Sequence, residues 1–129
     1  MTLEQQRAAT AHRHVQEVPD KKDQKTYGSM AQKLPALIRS AGLCQAIYFV
    51  KSRKKDALDR LLAHLAEQLT RVDPQITNVD SLCASVRGAD VGHYVWLTRE
   101  ALATVSWYGR LARSEWGILP GDEPEDRTT

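Results

Sequence analysis

The 129-residue sequence is poor in cysteine, aromatic residues, β-branched residues and continuous apolar stretches. Its two cysteines, Cys44 and Cys83, are too few for a disulfide framework or a four-cysteine zinc site. The longest unbroken apolar run is AIYFV, residues 46–50, far short of the roughly 20 residues a membrane-spanning helix needs. The opening MTLEQQRAATAHRH has no apolar segment of the kind a secretory signal carries, so a cytoplasmic protein without a membrane partner is expected. Only 9 Val and 4 Ile stand against 14 Leu and 15 Ala. Straight or small side chains lose little rotamer freedom in helices, so the expected class is all-α.

The length suits one core, large enough to need neither metal nor disulfide staples. We expect a single compact bundle of five to six helices over residues 1–117, closed by a long C-terminal helix. The segment ILPGDEPEDRTT that follows is acidic and proline-containing, which predicts a disordered tail over 118–129. Net charge is only +2, yet residues 1–60 hold 12 Lys and Arg against 6 Asp and Glu, while residues 61–129 hold 6 against 10. An excess of cations in one half points to an acidic partner such as nucleic acid, or to solvated helix faces.

Helix boundaries are marked by capping residues. Thr2 with Gln5 forms a capping-box pattern ahead of a thin stripe of Ala8, Ala11, Val15 and Val18, predicting a first helix that runs to Pro19. Asp20 caps a second, whose core face carries Tyr27, Met30, Ala31, Leu34, Leu37, Ile38 and Ala41. Pro35 predicts a kink near Ala31 in that helix, and Gly42 a left-handed stop. A short third helix follows, with Leu43, Ile47 and Val50 inward. The fourth has an unbroken stripe of Leu58, Leu61, Leu62, Leu65 and Leu69, and its outer face pairs Asp56 with Arg60 and Glu67 with Arg71. Asn78 caps a fifth helix and Asp90 a sixth reaching Trp116. The sixth is apolar on two sides, with Tyr94, Leu97, Ala101, Val105, Tyr108 and Ala112 on one and Trp96, Ala103 and Trp107 nearly opposite.

Motifs for catalysis are missing. There is no HExxH, CxxC, glycine-rich phosphate loop or nucleophile elbow, and no cofactor is expected. Cys44, Cys83, His64 and His93 lack paired ligand spacing, so they read as core thiols and surface imidazoles and no metal site is expected. Glu100 reads as a structural carboxylate beside Arg99 or a neighbouring helix; a small hydrolase using Glu100 with the histidines is the competing possibility.

The cations are more informative. At 100° per residue Lys21, Lys22, Lys25, Lys33 and Arg39 fall opposite the apolar stripe of the second helix, with no Asp or Glu on that arc. Together with Lys51, Arg53, Lys54 and Lys55 they form either a solvated surface or a phosphate-binding strip. The stripe of Trp96, Arg99, Trp107 and Arg110 has three readings, a base-stacking platform, a protein-protein contact or a packed helix face.

Two stretches go beyond a generic bundle, YGSMAQKLPALIRSAGLCQAIYFV over 27–50 and YVWLTREALATVSWYGRLA over 94–112. Leu34, Pro35, Leu37, Ile38, Gly42, Leu43 and Gln45, then Leu97, Thr98, Arg99, Glu100 and Trp107, resemble the pattern of the small subunit of the type III-B CRISPR effector, the Cmr complex. Ala41 stands where that family often has Asn, a departure that bears on one helix-end hydrogen bond. The resemblance implies a non-catalytic helical subunit that stacks in several copies along an RNA-guided ribonucleoprotein, lining the groove where target RNA pairs. It also implies backbone and large subunits, further copies of itself, CRISPR RNA and target RNA as partners, with the chemistry residing in the backbone and large subunits. On it, the basic residues would contact RNA backbone, and Trp96, Arg99, Trp107 and Arg110 would form a subunit interface. A helical adaptor that binds only protein is the alternative.

Overall fold

The computed structural model describes residues 1–122. Among them the elements are six helices and no strand: α1 (Leu3–Val15), α2 (Lys21–Ala41), α3 (Leu43–Ser52), α4 (Asp56–Leu69), α5 (Val79–Gly88) and α6 (Val91–Trp116). The all-α expectation and the long last helix are as observed.

Side-chain caps set most of the starts. Gln5 N donates to Thr2 Oγ1 at 3.1 Å and Thr2 N to Gln5 Oε1 at 2.8 Å, completing the capping box of α1. Asp20 accepts from the amides of Lys22 and Asp23, Asn78 from Ser81, and Asp90 from His93. α1 ends at Val15 rather than near Pro19, because the amides of Glu17 and Val18 bond back only three residues, tightening the chain into a turn. Val18 is nevertheless buried, so the apolar stripe outlasts the helix.

Pro35 lies inside α2, which continues as one helix to Ala41. Gly42 has φ 90 and ψ 157, a positive φ as expected but with extended ψ rather than the left-handed helical value. The difference follows from its double role. Its amide closes α2 on Ile38 O at 2.9 Å, and its carbonyl opens α3 by accepting from Ala46 N at 3.0 Å.

α6 is central, packing on α1, α2 and α4, which accounts for its apolar character on more than one side. Its contact with α2 is antiparallel and close. A Cβ on Gly28 would lie 2.9 Å from Ala112 Cβ, and one on Gly109 would lie 3.2 Å from the Ala31 carbonyl oxygen. The five leucines of the α4 stripe are all buried, as are Leu97, Ala101, Val105, Tyr108 and Ala112 of α6. Leu37, Ala41 and Tyr94, assigned to the core from their spacing, lie at its margin and are half-buried.

α6 stops at Gly117, φ 68, where Gly117 N donates to Arg113 O and Ile118 N to Ala112 O. That turn folds the chain back and buries Ile118 against Gly28, while Gln32 Nε2 donates to the Ile118 carbonyl at 2.8 Å. The expected tail boundary after Gly117 therefore needs correcting at Ile118. Residues 123–129 of that tail lie outside the described residues.

Candidate nucleic-acid interface

Amphipathic folding of α2 sends its cations outward. Tyr27, Met30, Ala31, Leu34 and Ile38 are buried, whereas Lys21, Lys22, Lys25, Lys33 and Arg39 are all exposed. The remaining basic candidates follow at the end of α3 and in the turn to α4. Lys54 is exposed, and Lys51, Arg53 and Lys55 are half-buried. Lys51 Nζ lies 3.7 Å from Asp80 Oδ1, and Lys33, Arg53 and Lys55 each have an interaction partner as well. The strip is thus partly engaged, not bare along its length. Arg53 Cζ sits 6.0 Å from the centre of the Phe49 ring.

On α6, Trp96 is 46% exposed and meets His93 edge-on at 5.8 Å, while Arg99 and Arg110 point to solvent. Trp107 is half-buried. It lines a cleft of about 590 Å³ between α1 and α6, together with Glu4, Arg7, Ala103, Ser106 and Arg110. The stripe therefore has one tryptophan near the start of the helix and a second drawn partly into a groove.

Glu100 is buried and gripped by Arg7 of α1, with Nη2 to Oε1 at 2.7 Å and Nε to Oε2 at 3.3 Å. It is the structural carboxylate expected, held by a neighbouring helix. The histidines do not gather around it. His12 meets Glu115, His14 meets Tyr108, His64 meets Tyr27, and His93 meets Asp73. Cys83 is buried and Cys44 half-buried, both free. Among the described residues no three His, Cys, Asp or Glu side chains are placed to hold a metal ion.

His64 corrects the reading of surface imidazoles, because it is buried and stacks on His14, which is buried as well. His14 Nδ1 is 2.7 Å from Tyr108 Oη, and His64 Nδ1 is 2.8 Å from Tyr27 Oη. Gln68 Nε2 donates to Tyr108 Oη at 3.2 Å, and that hydroxyl donates to the His64 carbonyl at 3.2 Å. At the outer edge His64 Nε2 lies 3.3 Å from Glu17 Oε1, and His14 Nε2 lies 3.1 Å from Glu67 Oε2 without hydrogen-bond alignment. Burial, more than any other cause, pushes His14 below its ordinary range and His64 down to about 4, with the neighbouring imidazole adding to the effect on His64. Burial likewise raises the Tyr27 and Tyr108 hydroxyls, so all four groups are neutral at pH 7. The signal was present in the sequence, since His14 shares the Ala11 and Val15 side of α1, and His64 and Gln68 flank the leucine stripe of α4.

The chain matches the model of a CRISPR-associated protein family, Cas_Cmr5, over residues 3–115. It belongs to the Cmr5 family. It is 38% identical over 107 residues to the "CRISPR system Cmr subunit Cmr5" of Thermus thermophilus, covering 83% of this chain and 90% of that one. The fold is similar to the X-ray crystal structure of a CRISPR-associated Cmr5 family protein, also from Thermus thermophilus. The TM-score is 0.76 at 34% identity, over 88% of this chain and 97% of that one. The Cmr5 match spans α1 to α5 and α6 as far as residue 115, so the α2–α6 contact described above belongs to the matched region. No helix among the described residues is long and apolar enough to cross a membrane.

Proposed function

We propose that this chain is a non-catalytic small subunit of a type III-B CRISPR effector, the Cmr complex, and that it contacts RNA backbone through the basic residues of α2 and the α3–α4 turn. Membership in the Cmr5 family supports the place in the complex. The observation that carries the RNA contact is the consistent exposure of Lys21, Lys22, Lys25, Lys33 and Arg39 opposite the buried stripe of α2. Such side chains meet phosphates and release counterions, so they supply affinity without reading sequence; specificity would come from base pairing of the guide. Copies of the chain would repeat these contacts along one RNA, with Trp96, Arg99, Trp107 and Arg110 meeting the next subunit. One domain formed by the six helices, with Ile118 packed against it, suffices for this role.

The test is reversal of Lys21, Lys25 and Arg39 to Glu in the assembled complex. Target-RNA affinity should fall to a similar extent for every guide, and the salt dependence should flatten by up to about one unit of slope per lost phosphate contact. Unchanged affinity and slope at full incorporation would put the RNA on another face. The reading of a protein-only adaptor makes a different prediction, that the complex purified through this chain carries no RNA.

A further inference from the structure

The turn between α3 and α4 is built from residues that its own backbone disfavours. Lys54 follows the C-cap Arg53 and has φ 56, the single positive φ outside glycine among the described residues. That position after a helix end is where glycine is preferred, because a Cβ crowds the backbone there. The next residue, Lys55, is the N-cap of α4 and makes no side-chain capping bond. Ser, Thr, Asp or Asn at that position would satisfy an orphan amide, and a cation there opposes the positive end of the helix dipole. Two adjacent positions thus hold lysine where local physics favours other residues, and backbone strain of this kind is concentrated at functional sites.

A second observation at the same corner indicates what the lysines serve. Phe49, the chain's one phenylalanine, is 44% exposed on the last turns of α3, with the Arg53 guanidinium over its ring at 6.0 Å. An exposed ring beside clustered cations has the composition of a platform for single-stranded nucleic acid, where a base stacks on the ring and adjoining phosphates meet the cations.

We infer that the α3–α4 corner, Phe49 with Arg53, Lys54 and Lys55, is a contact site for single-stranded RNA, with Phe49 stacking on an unpaired base and Lys54 kept at a strained position for its charge. The inference rests on the RNA reading proposed above and narrows it to one corner and one kind of strand. It separates stability from binding, because the residue best for the backbone at position 54 is not the one best for RNA.

The experiment compares three variants of the full chain by thermal melting and by fluorescence anisotropy with a labelled 20-nucleotide oligouridylate at low salt. Lys54→Gly should raise Tm by about 2–5 °C while weakening RNA binding about threefold or more. Phe49→Leu should weaken binding about fivefold or more and leave the salt slope unchanged, because stacking releases no counterion. The third variant reverses Lys21, Lys25 and Arg39 on α2. If it loses affinity while both corner variants bind like the parent chain, the corner inference is overturned and the broader reading stands. If none of the three changes affinity, or the parent chain does not bind, the corner inference is overturned, and the broader reading is decided by the reversal in the assembled complex. A Lys54→Gly variant that loses affinity but gains no stability would overturn the claim that the lysine is kept against the backbone's preference.

Discussion

The imidazoles of His14 and His64 lie face to face, with ring centres 4.0 Å apart and planes within 5°. One comes from α1 and the other from α4, each tied through Nδ1 to a buried tyrosine hydroxyl. α1 contributes only Ala11, His14 and Val15 to the buried interior, so this polar joint is a large part of what docks it.

Stability should therefore depend on acid in a defined window. In the unfolded chain both imidazoles titrate near 6.5, whereas in the folded chain both are held lower, His64 near 4. The unfolded state binds more protons below pH 6.5, so the contribution of the neutral pair is fully present above 6.5 and is lost as pH falls from 6.5 toward 4. Denaturant titrations should show unfolding coupled to net proton uptake between pH 6.5 and 4, with about one proton from His64 and a further contribution of the same sign from His14. His64→Gln should remove the share of that coupling due to His64, and an unaltered pH slope would contradict the assignment.

The α2–α6 contact predicts opposite signs for similar substitutions. Gly28→Ala and Gly109→Ala both force a new methyl into the other helix, at 2.9 Å from Ala112 Cβ and 3.2 Å from the Ala31 carbonyl. Helix propensity favours alanine by about 1 kcal/mol, but the obstructing atoms belong to a packed helix and cannot step aside, so a net loss of about 1–3 kcal/mol is expected. Gly88 has nothing within 4 Å of its would-be Cβ, and Gly88→Ala should stabilise the chain slightly. Thermal melts of the three variants check the ordering.

Glu100→Gln should act through the fold. The Arg7–Glu100 pair is mostly shielded, with side-chain exposures of 14% and 11%, so neutralising one partner leaves the other's charge poorly compensated and should remove about 1–3 kcal/mol. Faster amide exchange in α1 would accompany the loss. Loss of a hydrolytic activity with unchanged stability would instead favour the hydrolase reading.

Trp107→Ala should lower incorporation of the chain into the complex, measured as stoichiometry after affinity purification, with a smaller loss of stability than for a fully buried tryptophan. Normal assembly with weakened RNA binding would move the stripe to the base-stacking reading.

Much of the architecture was legible because capping and periodicity act over a few residues. Asp20, Asn78 and Asp90 mark their helix starts, and the leucines of α4 mark its buried face. What escaped was set by partners distant in sequence. The pattern that offers Glu67 to Arg71 along α4 is silent about Arg13 of α1, which reaches Glu67 at 2.5 Å, and Arg60 donates to the carbonyl of Glu17 rather than acting only on its own helix. The partner of His14 was hidden for the same reason, since the hydroxyl it meets lies 94 residues away. In the candidate interface the outward cations of α2 were readable from helical spacing. The backbone conformation of Lys54 and the exposure of Phe49 were not, because each depends on how two helices meet.

Gly42 ends one helix and begins the next within a single residue, at a φ and ψ that side-chain-bearing residues avoid. There is no slack between α2 and α3, and Tyr94 Oη accepts from Cys44 N at 2.9 Å to pin the elbow. α2 and the corner beyond α3 are therefore carried on one stiff bracket, with the corner set off from the Gly42 elbow by the ten-residue length of α3, about 15 Å. A strand lying across both would be held to a fixed gauge, and lengthening the elbow by one glycine would let the two grips drift apart without removing a single charge.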